Sequence, residues 1–124
     1  MREIETDDAP APLGPYSQAI VDGDTVYVSG QGPADPRTRE VEVKTIGEQT
    51  EQTLANVAAI LEAAGTSIDN TVRATVYLTD MDNYDAVNAV YGDTFSAPYP
   101  ARTCVEIADL PADIGVEIDV IATR

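Results

Sequence analysis

The sequence predicts an α+β domain: a mixed six-stranded sheet with two helices on one face. Three observations carry that expectation. Residues 71–79 alternate strictly between apolar and polar, two further segments repeat their apolar residues at helical spacing, and the resulting order β-β-β-α-β-α-β-β is that of a sheet with both helices on one side. At 124 residues the chain is expected to form a single domain, 1–124, burying about two-thirds of the surface its unfolded form exposes.

The elements follow in order. Residues 7–15, Asp-Asp-Ala-Pro-Ala-Pro-Leu-Gly-Pro, carry three prolines and read as extended loop, with order beginning after them. Ser17 to Val21 and Thr25 to Gly30 read as strands joined through Asp22-Gly23-Asp24, whose Asp-Gly step favours a tight hairpin. Asp35 to Arg39 reads as a turn leading into a short strand, Glu40 to Val43. Thr45-Ile46-Gly47-Glu48 has the form of a capping box, and Leu54, Val57, Ala58, Leu61 and Ala64 continue at helical spacing until Gly65, predicting a helix over 46–64. In the strand over 71–79, Val72, Ala74, Val76 and Leu78 share one face and Arg73, Thr75, Tyr77 and Thr79 the other. Asp80 or Asp82 caps a second helix with Tyr84, Val87, Tyr91 and Phe95 as its buried stripe, ended by Pro98 and Pro100. Two strands close the chain, Arg102 to Ala108 and Gly115 to Ile121.

A sheet with both helices on one face has a second face to cover. Arg73, Thr75, Tyr77, Arg102, Cys104 and Glu106 are assigned to it, and their partly apolar character predicts that another subunit covers them in a symmetric assembly.

Composition excludes several chemistries. The chain has no His, so imidazole bases, Cys-His or Ser-His-Asp nucleophilic sites and histidine metal ligands are absent. No metal or other cofactor is expected. With 22 Asp plus Glu against 7 Lys plus Arg the formal charge is −15, and Lys44 is the single lysine. Nucleic acid is disfavoured as a partner, because phosphate neutralisation needs clustered cations. A lone Cys104 makes no internal disulfide, and the N-terminus lacks the apolar stretch of a signal peptide. No run approaches the roughly 18 apolar residues of a membrane span. A soluble, cytoplasmic protein is expected.

Among the arginines only Arg73 and Arg102 fall inside expected strands. Arg73 reads as the partner of a carboxylate. Arg102 opens a strand after Pro100-Ala101, where a planar guanidinium is able to grip an anionic ligand through two parallel hydrogen bonds. Glu117 lies between Val116 and Ile118, and alternation alone makes it solvent-facing. Asn88 sits one turn from both Tyr84 and Tyr91, either bonded to local backbone or facing a ligand. Cys104 reads as a small buried hydrophobe. Gly14-Pro15-Tyr16-Ser17 and Ser29-Gly30-Gln31 place hydroxyls beside residues of special backbone, suited to turns or to close approach by a ligand.

Taken together, Gly14-Pro15-Tyr16-Ser17-Gln18-Ala19, Val28-Ser29-Gly30-Gln31, Asn88-Ala89-Val90-Tyr91, Pro100-Ala101-Arg102 and Val116-Glu117-Ile118 resemble the reactive intermediate deaminase A (RidA, or YjgF) family, from about Ala9 to the C-terminus. The resemblance implies a chorismate mutase-like fold of the bacillary type, a homotrimer with clefts between subunits, and hydrolysis of reactive 2-imino acids to 2-keto acids and ammonia. It assigns Arg102 to the substrate carboxylate, and Glu117 with the Cys104 backbone carbonyl to a water. Tyr16, Ser29, Gly30 and Asn88 are implied to shape the cleft, with Thr103 beside Arg102 in the binding segment. Thr103 stands where the family usually has Ser or Ala, and Gly32 where a larger apolar residue is usual. The first is expected to adjust packing, the second to open one wall of the cleft.

The resemblance implies two candidate functions. The first is a 2-iminobutanoate/2-iminopropanoate deaminase clearing enamine and imine intermediates released by pyridoxal-phosphate-dependent dehydratases. The alternative is a non-catalytic trimeric binding module sensing 2-keto acids or other small carboxylates. Ribonuclease activity fits poorly with the charge. That charge also predicts a halophilic protein, because about 1 M salt shortens the Debye length to about 3 Å and screens self-repulsion. Thermal unfolding followed from molar to millimolar salt is expected to show a steep fall in midpoint; an unchanged midpoint in dilute buffer would contradict a high-salt adaptation.

Overall fold

The computed structural model describes residues 1–124. The elements are β1 (Arg2–Ile4), β2 (Ala19–Asp22), β3 (Thr25–Gln31), α1 (Ile46–Ala63), β4 (Thr71–Leu78), α2 (Tyr84–Thr94), β5 (Ala101–Glu106) and β6 (Val116–Thr123). They form one six-stranded sheet in the order β1-β2-β3-β6-β4-β5. Only β4 and β5 run parallel; the other neighbours are antiparallel. No helix is long and apolar enough to cross a membrane.

The helices begin where their caps dictate. The Thr45 hydroxyl accepts from the Glu48 amide while the Glu48 carboxylate accepts from the Thr45 amide, so the capping box satisfies two groups that helix geometry leaves unpaired. Gly65, at φ +84°, follows the last turn in the left-handed backbone that ends many helices. Before α2, the Asp80 carboxylate caps a single 3-10 turn through the Asp82 amide, and α2 itself starts only at Tyr84. Val57, Ile60 and Leu61 of α1 are fully buried against Val26, Val76, Val116 and Ile118 of the sheet in one core cluster. Burying each such aliphatic side chain contributes about 1.5–3 kcal/mol.

Three expectations need correction. The chain is ordered from its start: β1 pairs with β2, and Ile4 and Ala9 are buried. The proline-rich segment is held by Gln18, which is 3% exposed. Its Oε1 accepts from the Thr6 amide at 2.8 Å, and its Nε2 donates to the carbonyls of Thr6, Ala9 and Pro10 at 3.1, 3.3 and 3.0 Å. Second, residues 40–43 form no strand. Their alternation is real, but the sixth strand of the sheet is β1, paired beside β2, and residues 40–43 pair with no strand. Third, Val72 is 47% exposed, because it is the extra residue of a bulge between Thr71 and Arg73 and Thr71 turns inward instead.

The face assignment also changes at β5. Arg102, Cys104 and Glu106 stand beside Ala74, Val76 and Leu78, so they belong to the helix-bearing face. The open face is formed by Tyr27, Ile121, Arg73, Thr75, Tyr77, Glu117, Asp119, Thr103 and Val105. The parallel register of β4 and β5 sets this pairing, and alternation within β5 alone has no way to specify it.

Candidate functional site

The expected residues gather into two groups on different faces of the sheet. The first surrounds Arg102 on edge strand β5. Its Nη2 donates to the Tyr84 hydroxyl at 3.0 Å, and its Cζ lies 4.7 Å from the ring centroid of Tyr91 and 5.6 Å from that of Tyr84. The guanidinium is therefore oriented by two α2 tyrosines, through cation–π contact and a hydrogen bond, rather than by an acid. Asn88, Tyr99 and Pro100 complete a cleft of about 260 Å³ around it. Tyr91 is buried, its hydroxyl has no hydrogen-bond partner, and burial raises its pKa against the opposing pull of Arg102. Cys104 lies two residues further along the strand, half-buried, its thiol pKa raised by burial.

The second group centres on Glu117. The register of β3 against β6 shifts between Val28 and Gln31, so Ser29 and Gly30 together stand opposite the single residue Asp119. The bulge is fixed by the Ser29 hydroxyl, which donates to the Ser17 carbonyl at 2.6 Å, and by the Ser29 amide, which donates to the Gln18 carbonyl at 2.9 Å. Glu117 lies directly over Gly30: a Cβ there would be 2.5 Å from Glu117 Oε2 and 2.8 Å from its Cδ. Glycine is what lets the carboxylate approach this backbone. Burial, and secondarily the charge of Asp119, raises the Glu117 pKa above its ordinary 4.5. Tyr16, Gly30 and Glu117 share a pocket of about 190 Å³ whose apolar wall includes Leu13, Val41 and Ile114. Gly32 lies on the same wall, where an added Cβ would meet Ile114 Cδ1 at 3.0 Å.

Arg102 and Glu117 do not meet within one chain. Strand β4 separates β5 from β6, and the two side chains leave opposite faces of the sheet. Thr103 is exposed on the open face, where its hydroxyl accepts from Arg73 Nη2 at 2.7 Å. Arg73, expected to pair with a carboxylate, thus takes a hydroxyl partner. A groove of about 730 Å³ beside residues 39–44 contains none of the expected site residues.

Sequence reasoning missed two contributions. Helical spacing places Tyr84 and Tyr91 in a core stripe, yet they hold Arg102; two hydroxyl-bearing rings flanking Asn88 are the available signal. Buried amides support the loops around Glu117: Asn56 Nδ2 donates to the Gly32 and Ala34 carbonyls at 3.0 and 2.9 Å, and Gln49 Oε1 accepts from the Gly115 amide at 2.9 Å. Polar residues within a helical repeat carry no sequence mark of the loop they will bind.

Fold and site together define a class: a small α+β domain with an oriented arginine in one cleft and a desolvated carboxylate over a glycine bulge in another. The chain belongs to the family described as Endoribonuclease L-PSP, which it matches over residues 6–124 and which includes the RidA and YjgF proteins. A RutC family protein of Saccharolobus solfataricus is 49% identical, with 100% of this chain and 99% of the relative covered. A 2-iminobutanoate/2-iminopropanoate deaminase of Salmonella typhimurium is 44% identical, with 99% of this chain and 98% of that protein covered. The crystal structure of RidA from an Antarctic Psychrobacter superposes with a TM-score of 0.97 at 44% identity, covering 100% of both chains. That of E. coli TdcF with bound serine gives 0.95 at 40% identity, covering 100% of this chain and 99% of that one.

A carboxylate with a raised pKa weakens the fold wherever it is ionised. Below the ordinary value of 4.5 it is protonated in both folded and unfolded chains and contributes nothing; above its raised folded value the full penalty applies. Glu117→Gln is therefore expected to unfold at higher temperature than wild type at neutral pH, with the difference shrinking to zero as pH falls below 4.5. A variant less stable at neutral pH would contradict the desolvation of Glu117.

Proposed function

We propose that the protein hydrolyses 2-imino acids to 2-keto acids and ammonia, with 2-iminobutanoate and 2-iminopropanoate as the expected substrates. The observation that carries this reading is Arg102, a strand arginine in a chain of net charge −15 that is held by tyrosines and keeps donors for a ligand carboxylate. The named deaminase among the relatives and the serine bound in TdcF support a small amino-acid-like ligand.

In this proposal the site is assembled between subunits of a homotrimer. Arg102, Asn88 and the Cys104 backbone from one subunit face Tyr16, Ser29, Gly30 and Glu117 of another, and the partly apolar open face packs within the assembly. Arg102 fixes the carboxylate through charge-assisted bonds. The protonated imine is already electrophilic, so the remaining task is to place water at its carbon. Glu117, with its raised pKa, orients that water and accepts its proton as the C–O bond forms, giving a tetrahedral carbinolamine. Glu117 returns that proton to nitrogen and then takes the hydroxyl proton as the C–N bond breaks and the C=O bond forms, leaving the keto acid and ammonia, with the last proton passing to the ammonia or to solvent. No histidine, metal or other cofactor is required by these steps. The charge that repels phosphate backbones argues against the nuclease activity in the family's description.

The test couples a serine or threonine dehydratase to this protein in high salt and follows imine decay. Wild type is expected to accelerate decay and Arg102→Ala to lose about 10²-fold or more in kcat/KM, the scale of a charge-assisted contact plus lost orientation. No acceleration by wild type, or full acceleration by Arg102→Ala, would contradict the reading. Stabilisation of wild type by 2-keto acids without turnover would identify a binding module instead.

A further inference from the structure

We infer that Asp119 is a positioning residue for Glu117: held by the Tyr77 hydroxyl, its carboxylate supplies the negative charge that makes Glu117 basic enough to take a proton from the attacking water. This rests on the deaminase reading and adds a residue to the same site. Glu117 and Asp119 are two apart on β6, so both side chains leave the open face, and both are half-buried. They also converge. Ser29 and Gly30 stand opposite Asp119 on β3, and Glu117 lies over Gly30, so its carboxylate is drawn along the strand toward Asp119. Tyr77 faces Glu117 directly from β4, yet its hydroxyl donates diagonally to Asp119 Oδ2 at 3.0 Å. The hydroxyl opposite Glu117 thus fixes its neighbour and leaves Glu117 free to hold a water.

The charges around Glu117 fix the direction of the effect. On its own strand Asp119 presents a like charge, which stands behind burial in raising the Glu117 pKa. On β4, burial and then the bond to Asp119 raise the Tyr77 pKa, so that hydroxyl remains a protonated donor, while Arg73 spends its Nη2 on Thr103. On β3, Ser29 and Gly30 carry no titratable group, and Tyr27 lies farther along, opposite Ile121. The loops lining the pocket add Tyr16 and the exposed Arg39. In the proposed trimer Arg102 of the neighbouring subunit brings a cation that opposes Asp119. That cation is present whether or not residue 119 is charged, so removing the Asp119 charge lowers the Glu117 pKa in either setting.

The closing experiment compares Asp119→Asn with Asp119→Glu. Asparagine keeps an oxygen to accept from Tyr77 and removes the charge; glutamate keeps the charge. An amino-acid oxidase generates the imine of 2-aminobutyrate, and kcat/KM is followed against pH at one salt concentration with spontaneous decay subtracted. The Glu117 carboxyl is titrated by carbon NMR in each protein. In Asp119→Asn the acid limb of the kcat/KM profile and the Glu117 titration are both expected to move to lower pH, and the plateau to fall, because a weaker base ionises sooner and accepts a proton less readily. Asp119→Glu is expected to keep the wild-type limb. A rate lowered equally at every pH by Asp119→Asn, or a Glu117 titration that this variant does not move, overturns the inference and leaves the deaminase reading standing. A limb displaced as far by Asp119→Glu also overturns it, because charge would not be the cause. A Glu117 titration that moves to lower pH in Asp119→Asn, when the wild type turns over no imine, sustains the coupling of the two carboxylates and overturns the deaminase reading.

Discussion

A pleated sheet sends successive side chains to opposite faces, and that constraint organises everything else in this protein. On one face it collects Val26, Val76, Val116 and Ile118 into the core beneath α1. At the edge of the same face it presents Arg102 to the tyrosines of α2. On the other face it raises Glu117 over the Gly30 bulge. The arginine and the carboxylate that an imine hydrolysis needs are thereby kept apart within the chain, which is why the proposed chemistry requires two subunits to face one another.

Within a single chain the separation has an electrostatic consequence. An arginine beside Glu117 would neutralise it and pull its pKa down, whereas in the single chain burial and Asp119 push it up. Arg102, in turn, keeps donors that an internal ion pair would occupy. Each half is prepared separately: Tyr84 and Tyr91 orient the cation, while the Ser29 hydroxyl and the Gln18 and Asn56 amides fix the backbone around the anion. These buried polar groups are fully bonded where they clamp loops, and removing any one would strand partners at about 1–3 kcal/mol each.

Local signals were legible in the sequence wherever local chemistry decides the outcome. The capping box at Thr45, the helical repeat to Ala64 and the alternation from Ala74 to Leu78 reappear in the structure because propensity and burial agree there. What depended on non-local pairing was not legible. Residues 40–43 alternate but pair with no strand, Arg2–Ile4 alternate too briefly to register yet find β2, and the side chosen by Arg102 follows from its parallel register with β4. The site followed the same division. Gly30 and Glu117 stood out as motif residues, but their contact needs a bulge, and Tyr84 became a partner of Arg102 only through the packing of α2 beside β5.

A site shared between subunits is tested most directly by mixed assembly. Arg102→Ala and Glu117→Gln, each inactive alone, would be mixed, dissociated and reassembled, and imine hydrolysis measured. Facing half-sites from neighbouring subunits in a ring of three predict recovery of roughly a quarter of the wild-type rate, because mixed trimers regain one intact cleft. No recovery from demonstrably mixed assemblies would contradict the account and place both residues in a single chain's site.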